Sequence, residues 1–176
     1  MIDERVVPGK TDVLNLMKHV ARYNLALAVC EGKTVFDLAC GTGYGSYLLS
    51  LVAEDVVGID RDKIAIEYAK RFNSVRFYQK DILELEMDSR DVIVSFEIIE
   101  HIKNLELLQK QFDSYLNDSG MIIYSVPLNE PKGMNPYHEH VFTVKDGLAL
   151  FDSYKTIDCY IQSGVNFYKL DSGFPL

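Results

Sequence analysis

The feature that most constrains this chain is an apolar run, residues 35–39, that leads into three glycines at alternate positions, Gly41, Gly43 and Gly45. The apolar run predicts a buried strand, and the residues after the glycines predict a helix. Glycine permits positive φ and lets the backbone approach a ligand without a Cβ clash, and a helix N-terminus offers unused N–H groups. A plain tight turn is the simpler alternative to a ligand-binding loop.

Apolar strand-like runs alternate with amphipathic helical stretches along the chain. Strands separated by helices pair in parallel through right-handed crossovers, which predicts an α/β sandwich. Only Ser163 and Gly164 separate the last two strands, and two residues allow a hairpin but not a parallel crossover. We therefore expect an antiparallel strand at the end of the sheet. Predicted helices cover residues 12–29, 44–53, 62–72, 104–116 and 143–151, and predicted strands cover 33–39, 55–59, 75–78, 91–96, 121–126, 155–162 and 165–170.

Length and composition limit the function classes. A chain of 176 residues predicts one domain over residues 1–176. The net charge is −8 and no basic stripe is present, which argues against long nucleic acid as a partner. We expect no membrane span and no signal peptide, because no apolar run of the required length occurs. Three scattered cysteines fit a reducing cytoplasm.

The residues around the glycines carry a family resemblance. Residues 37–45 read D-L-A-C-G-T-G-Y-G, whereas a nicotinamide-binding loop reads G-x-G-x-x-G. The string resembles the first motif of class I S-adenosylmethionine (SAM)-dependent methyltransferases. That resemblance implies a Rossmann-like sandwich with a mostly parallel seven-stranded sheet, an antiparallel terminal hairpin strand, and SAM as cofactor. It places six residues of the loop at the cofactor, namely Asp37, Ala39, Cys40, Gly41, Gly43 and Gly45.

Two further acids follow the next two predicted strands. Asp60 stands 19 positions after Gly41, near the spacing at which an acid holds a ribose hydroxyl pair, and Arg61 next to it is a candidate for the same site. The alternative role for Asp60 is a helix N-cap. By the resemblance, Asp81 accepts from the adenine amino group and Ile82 packs on the ring. The alternative for Asp81 is a cap or loop position.

Residues 4 to 145 resemble bacterial and viral methyltransferases encoded near glycan-building genes. Four strings carry this resemblance: E-R-V-V-P-G at residues 4–9, H-x-x-R-Y at 19–23, F-E-x-x-E-H at 96–101, and N-P-Y-H at 135–138 followed by F-T at 142–143. It implies that His19, Arg22 and Tyr23 lie over the cofactor, and Phe96 is a further candidate contact. Arg22 could pair with the methionine carboxylate, because a guanidinium matches that geometry. Ordinary positions on a helix surface are the alternative.

The string Glu97-x-x-Glu100-His101 falls where the fourth strand is expected to end. Methyl transfer needs the acceptor oxygen about 3–3.5 Å from the methyl carbon. A neutral sugar hydroxyl also needs a general base, for which histidine is the usual choice. We therefore predict His101, His138 and Glu97 as catalytic residues, with His101 or His138 as the base. The alternative is that both acids only cap the next helix.

A divalent ion, Mg²⁺ or Mn²⁺, is a second route to an activated hydroxyl. The same string with a later histidine resembles the metal site of the small-RNA 3′-terminal 2′-O-methyltransferases. That resemblance implies Glu97, Glu100, His101 and one of His138 or His140 as ligands. The rest of that family's pattern is missing, so we favour a base without metal.

Residues 127–143 contain three prolines and few apolar residues, which predicts a loop that covers the substrate. The leading hypothesis is O-methylation of a sugar or glycan hydroxyl, with a small molecule or glycan as partner. The alternatives are another small-molecule methyltransferase, 2′-O-methylation of an RNA end, and a non-catalytic SAM-binding protein. The oligomeric state stays open.

Overall fold

The computed structural model describes residues 6–7, 9–131, 133–155 and 158–170. Parts of two predicted segments, residues 4–5 and 8 of the first string and residues 156–157 of a strand, lie outside the described residues. The helices are α1 Val13–Cys30, α2 Tyr44–Leu49, α3 Lys63–Ala69, α4 Leu105–Tyr115 and α5 Val144–Ala149, with a 3-10 turn at Ile99–His101. The strands are β1 Thr34–Leu38, β2 Asp55–Asp60, β3 Arg76–Gln79, β4 Arg90–Phe96, β5 Leu116–Ser125, β6 Tyr160–Ser163 and β7 Asn166–Lys169.

Five strands form one sheet in the order β3-β2-β1-β4-β5, and every pairing in it is parallel. Chain order reverses between β1 and β4. In open α/β sheets, ligands bind beyond the carboxyl ends of the strands at this reversal. The register places Leu38 beside Ile59 and Asp37 beside Val94. The loops that follow β1, β2 and β4 therefore meet at one edge of the sheet.

The terminal hairpin is confirmed, since β6 and β7 are antiparallel and pair Ser163 with Asn166. The structure corrects one part of the prediction, because the central sheet has five strands and the hairpin is a separate two-stranded sheet. Gln162 binds the hairpin to α1: its Nε2 donates to the Lys18 carbonyl at 2.9 Å, and its Oε1 accepts from Arg22 at 2.8 Å. These contacts attach the hairpin to α1.

The central sheet is covered on both faces, as the α/β prediction requires. Successive residues of a strand point to opposite faces. Val35 accordingly belongs to a core cluster with Ala26 and Cys30 of α1, whereas Phe36 belongs to a cluster on the other face, where its ring meets that of Tyr115 at 6.2 Å. Within the described ranges, no helix combines the length and the apolar character needed to cross a bilayer.

Candidate functional site

The turn after β1 uses left-handed backbone. Ala39, Gly41 and Gly43 have φ angles of 62°, 55° and 77°. A Cβ added at Gly41 would meet nothing within 4 Å, whereas one added at Gly43 would lie 2.6 Å from the Cβ of Ala69. Gly41 therefore leaves one side of the turn open, and Gly43 lets the turn approach α3.

Gly45 is needed for side-chain packing, whereas Gly41 and Gly43 are needed for the backbone conformation of the turn. It lies inside α2, and a Cβ there would be 1.9 Å from Cζ of Tyr23. The Tyr23 ring also makes edge contacts with Tyr44 and Phe96, at centroid distances of 5.8 and 5.1 Å. The third glycine of the motif thus admits an aromatic ring, and Tyr23 is buried beneath the loop.

The carboxylate of Asp37 is buried, with 1% of the residue exposed. The Tyr23 hydroxyl donates to Oδ1 at 3.1 Å and the Ser46 hydroxyl donates to Oδ2 at 2.5 Å. Burial raises the pKa of Asp37 to about 7; the hydrogen bonds from Ser46 and Tyr23 act in the opposite direction, and the charge of Asp60 adds to the rise. Sequence reasoning did not assign Ser46 to Asp37, because a serine nine residues further on carries no motif of its own.

Asp60 turns its carboxylate to the glycine loop. Its Oδ2 accepts from the Gly41 N–H at 2.9 Å, and its Oδ1 accepts from the Asp62 N–H at 2.8 Å. A carboxylate can accept about four hydrogen bonds, so these contacts are compatible with ribose hydroxyls as further donors. The N-cap of α3 is Asp62, which accepts from Ile64 and Ala65. Asp60 is therefore not the N-cap of α3, which was the alternative role for this residue.

The candidate adenine residues border the ends of β2 and β3. Oδ1 of Asp81 accepts from the Leu83 N–H at 2.9 Å, which forms an Asx turn. Ile82 is buried in the core, and Arg61 is exposed, with its carbonyl accepting from Gln79 Nε2 at 3.3 Å. Asp81 and Arg61 thus lie at the surface near the carboxyl edge of the sheet.

Glu97 follows β4 in a left-handed conformation, with φ of 52°. Its N–H donates to the Ser125 carbonyl at 3.2 Å, and its Oε1 accepts from the Ser125 hydroxyl at 2.6 Å. Nη1 of Arg22 lies 3.7 Å from the same Oε1 and donates to Gln162. Within the described part of the chain, the buried Nε of Arg22 has no hydrogen-bond partner. Arg22 thus joins α1, the end of β4 and the hairpin, through partners that no motif predicted.

His101 and His138 come together, with ring centroids 4.7 Å apart. Nδ1 of His101 lies 3.0 Å from the Tyr137 carbonyl oxygen. Because a carbonyl can only accept, Nδ1 carries the proton and Nε2 of the neutral ring carries a lone pair. That Nε2 lies 4.0 Å from Oε1 of the buried Glu100.

Both ring nitrogens of His138 lie close to polar atoms of the loop. Nδ1 lies against Oε2 of Glu130 without the geometry of a hydrogen bond, and Nε2 lies 2.8 Å from Nδ2 of Asn135. The Tyr137 N–H donates to Oδ1 of Asn135 at 3.0 Å, which orients the amide so that Nδ2 donates to His138. Nε2 of His138 is therefore also an acceptor. Sequence reasoning did not identify Glu130.

The segment after His138 is fixed to the end of the 3-10 turn. The Glu139 and His140 N–H groups donate to the Glu100 carbonyl at 2.8 and 3.2 Å. Nε2 of His140 donates to the Ile102 carbonyl at 2.9 Å. The His140 ring is therefore directed to the backbone of residue 102.

Three residues of the chain as described could share a metal ion. Donor atoms of Glu100, His101 and His138 all lie within 4.8 Å of one another. The predicted set also contained Glu97 and His140, and the structure brings neither into this group.

A family model described as a methyltransferase domain matches residues 30–146. The chain belongs to the SAM-dependent methyltransferases. This methyltransferase is 29% identical over 146 residues to MT3114, a probable S-adenosylmethionine-dependent methyltransferase of Mycobacterium tuberculosis, with 77% of the chain and 53% of the relative covered. It is 32% identical over 127 residues to a ubiquinone biosynthesis O-methyltransferase of Rickettsia akari, with 69% and 49% covered. The YcgJ protein of Bacillus subtilis superposes with a TM-score of 0.69 at 19% identity, with 82% and 71% covered.

The methyltransferase spans about half the length of the curated relatives it matches. The predicted fold class and the predicted cofactor, SAM, are confirmed by this membership. The glycine loop also fits SAM chemically, because the open side of Gly41 lies next to the carboxylate of Asp60, an acceptor for hydroxyl groups.

Proposed function

We propose that this methyltransferase moves the methyl group of SAM to a hydroxyl oxygen of a sugar or glycan. The observation that carries the proposal is the pair His101 and His138, whose ring centroids lie 4.7 Å apart. Nδ1 of His101 faces the Tyr137 carbonyl oxygen, which makes Nε2 of that ring the base that a neutral hydroxyl requires. The sulfonium of SAM supplies an activated methyl group.

The loop after β5 supports a small polar acceptor. It surrounds a cavity of about 250 Å³, below the range of about 300–1,000 Å³ that is usual for drug-sized ligands. Glu130, Asn135, His138 and Glu139 supply charged and polar side chains to its wall. Carboxylates, amides and imidazoles hydrogen-bond to hydroxyl groups, which favours one sugar ring over a flat aromatic ring.

In this proposal the cofactor residues have separate roles. Asp60 accepts from the ribose hydroxyls, and Arg22 donates to the methionine carboxylate, to which its buried Nε offers a free N–H. Asp81 and Ile82 contact the adenine. Asp37 stabilises the glycine loop from below.

A divalent ion held by Glu100, His101 and His138 is the second route. Two imidazoles with one carboxylate suit Mn²⁺ or Zn²⁺ better than Mg²⁺. Nε2 of His138 already accepts from Asn135 and Nδ1 lies against Oε2 of Glu130, so a metal would displace one of these contacts, whereas Nε2 of His101 acts as a base without displacing either. We therefore favour the base.

A phenolic hydroxyl is the second candidate acceptor. It is supported by the 32% identity to a ubiquinone biosynthesis O-methyltransferase. The deciding experiment incubates the protein with SAM and three acceptor groups, namely free sugars, nucleotide-linked sugars and catechols, and measures S-adenosylhomocysteine.

We expect turnover with a sugar, unchanged by EDTA, and a loss of kcat of about 10²–10⁴-fold in His101→Gln with SAM affinity retained. Methylation of catechols but not of sugars would contradict the sugar acceptor and support a phenolic hydroxyl as the acceptor. Activity that EDTA abolishes and Mn²⁺ restores would support the metal route. SAM binding without turnover on any acceptor would indicate a non-catalytic SAM-binding protein.

A further inference from the structure

We infer that Gln162, in the terminal hairpin of β6 and β7, is a positioning residue for the cofactor. It holds the guanidinium of Arg22 in the orientation that receives the methionine carboxylate of SAM. The inference rests on the proposed role of Arg22 in binding that carboxylate. It assigns cofactor binding to a hairpin in which the sequence shows no motif.

Arg22 lies at the edge of the sheet where a ligand is expected. Its neighbour in α1, Tyr23, packs against Phe96 at the end of β4 and against Gly45. Its own Nη1 lies 3.7 Å from Oε1 of Glu97, the first residue after β4. Chain order reverses between β4 and β1, and ligands of open α/β sheets bind beyond the carboxyl ends of such strands. The guanidinium therefore borders the expected cofactor site.

Gln162 uses both ends of its side-chain amide. Nε2 donates to the Lys18 carbonyl of α1 and to the Gly164 carbonyl, each at 2.9 Å. Oε1 accepts from Nη1 of Arg22 at 2.8 Å. A carbonyl only accepts and a guanidinium only donates, so the reversed amide would lose all three hydrogen bonds. Gln162 therefore presents an oriented acceptor to Arg22.

The contacts of Nη1 leave another edge of the guanidinium to a ligand. A carboxylate binds arginine through two parallel N–H groups, and Nε with Nη2 forms such an edge. In the part of the chain that the structure describes, Nε of Arg22 is buried without a hydrogen-bond partner. A buried donor without an acceptor is unfavourable, so a ligand oxygen at Nε would remove this cost.

The hairpin partner of Arg22 is neutral, which preserves the positive charge for the ligand. Glu97 Oε1, at 3.7 Å, is beyond hydrogen-bond distance of Nη1 and accepts from the Ser125 hydroxyl at 2.6 Å. An amide oxygen orients a guanidinium without neutralising it, whereas a further carboxylate at this position would compete with that of the cofactor. Gln162 thus fixes Arg22 and leaves its charge available.

The test compares two ligands that differ only in the carboxylate, namely S-adenosylhomocysteine and its decarboxylated analogue. The analogue keeps the adenosine, the sulfur and the amine. Calorimetric titration gives the ratio of the two affinities, which we call the carboxylate preference. A partly unfolded variant binds both ligands less, so unfolding cancels in this ratio. A role of Gln162 in hairpin stability alone would therefore leave the preference unchanged.

Substitutions at both residues make the comparison. Arg22→Met should lower the carboxylate preference about 100-fold, because charge-assisted hydrogen bonds are lost. Gln162→Ala removes the acceptor that orients the guanidinium, and we expect a fall of about tenfold. Gln162→Glu loses the same donor and adds a carboxylate beside Arg22, so we expect a fall of at least about tenfold. In the Arg22→Met background, Gln162→Ala should change the preference by less than about twofold.

Gln109→Ala is the matched control. Gln109 also joins two elements through its amide, since its Nε2 donates to the Leu150 carbonyl. It belongs to α4, which packs on the other face of the sheet from α1. We expect the wild-type preference in this variant. The wild-type preference in Gln162→Ala or in Gln162→Glu would overturn the role of Gln162.

The outcomes separate this inference from the proposed O-methylation. The titrations need no methyl acceptor, so they decide the role of Gln162 whether or not a sugar is methylated. A carboxylate preference that Arg22→Met leaves unchanged would remove Arg22 from the carboxylate, and Gln162 with it. Failure to methylate any sugar would contradict the proposed acceptor and would leave the measured preferences in force.

Discussion

The hydroxyl of Tyr23, in the first helix, donates to the buried carboxylate of Asp37, in the first strand, over 3.1 Å. This bond connects α1 to the strand that leads into the glycine loop. Through this bond, α1 and the strand that precedes the glycine loop are joined by a polar contact inside the core. Changes on either side of the bond should therefore affect both folding and SAM affinity.

Tyr23→Phe tests that bond. The change leaves a buried carboxylate with one fewer donor, so we expect the free energy of unfolding at pH 8 to fall by about 1–3 kcal/mol and SAM affinity to decrease. Urea denaturation and calorimetric titration measure the two effects. Tyr44→Phe is the control, because it alters the neighbouring ring and leaves the bond in place. Equal stability of both variants would show that the bond contributes little.

The raised pKa of Asp37, about 7, predicts a pH dependence of stability. Between its ordinary value of 3.8 and about 7, the folded chain keeps a proton that the unfolded chain releases. The free energy of unfolding contributed by this group therefore falls as pH rises through that window. Asp37→Asn should remove this contribution, which denaturation curves at half-unit pH steps would reveal. An unchanged pH profile would contradict the burial effect.

His19 predicts the opposite slope. Burial first, with the charges of Arg22 and Lys18, lowers the pKa of His19 from 6.5 to about 4. As pH falls through that window the unfolded chain gains a proton that the folded chain does not, so this contribution to stability is lost toward acid. The slopes of His19 and Asp37 should partly cancel in the wild type. His19→Gln should expose the Asp37 slope, and Asp37→Asn the His19 slope; parallel profiles in the two variants would be incompatible with this.

Gly45→Ala and Gly41→Ala distinguish packing from backbone conformation. A Cβ at Gly45 would collide with the Tyr23 ring, so we expect a loss of about 3 kcal/mol or more in the free energy of unfolding. A Cβ at Gly41 meets no atom within 4 Å but requires an alanine at φ of 55°, which costs about 1–2 kcal/mol. If the collision is the cause, Gly45→Ala should cost less in a Tyr23→Ala background.

Asp60→Ala should weaken SAM binding by about 2–3 kcal/mol, because charge-assisted hydrogen bonds to the ribose are lost. Asp62→Ala is the matched control: it removes the N-cap of α3 and should cost about 1 kcal/mol of stability with SAM affinity retained. Titration calorimetry on both folded variants makes the comparison. Equal SAM affinity in the wild type and Asp60→Ala would remove Asp60 from the cofactor site.

The strands and the terminal hairpin were predictable, because the local sequence pattern at these places matches the pairing that the structure shows. The apolar run before Gly41 indicated a buried strand, and the two residues between the last strands allowed a hairpin but not a parallel crossover. What the hairpin contacts could not be predicted, because the bonds of Gln162 to Arg22 and Lys18 join residues about 140 positions apart. Alternating apolar residues indicate that a segment is a strand, but they do not indicate which other element the strand contacts.

For the candidate site, too, the positions of the residues along the chain were predictable but their partners were not. The positions of His101 and His138 at strand ends indicated their proximity, since loops at one edge of a parallel sheet converge. The oxygen atoms beside their Nδ1 atoms, from the Glu130 carboxylate and the Tyr137 carbonyl, depend on turns inside a proline-containing loop. No periodicity describes such turns.

Ala39 and Glu97 both have a Cβ and both adopt positive φ, at the ends of the neighbouring strands β1 and β4. Glycine would relieve this conformation, by up to about 1 kcal/mol at each position. A library selected for heat resistance alone should therefore accumulate glycine at both positions. A library selected for methyl transfer should accept glycine at 39 and retain the acid at 97, where the side chain meets Arg22 and Ser125. The two selections together would thus show that the residue at position 39 is not required for activity, whereas the acid at position 97 is kept for activity and not for stability.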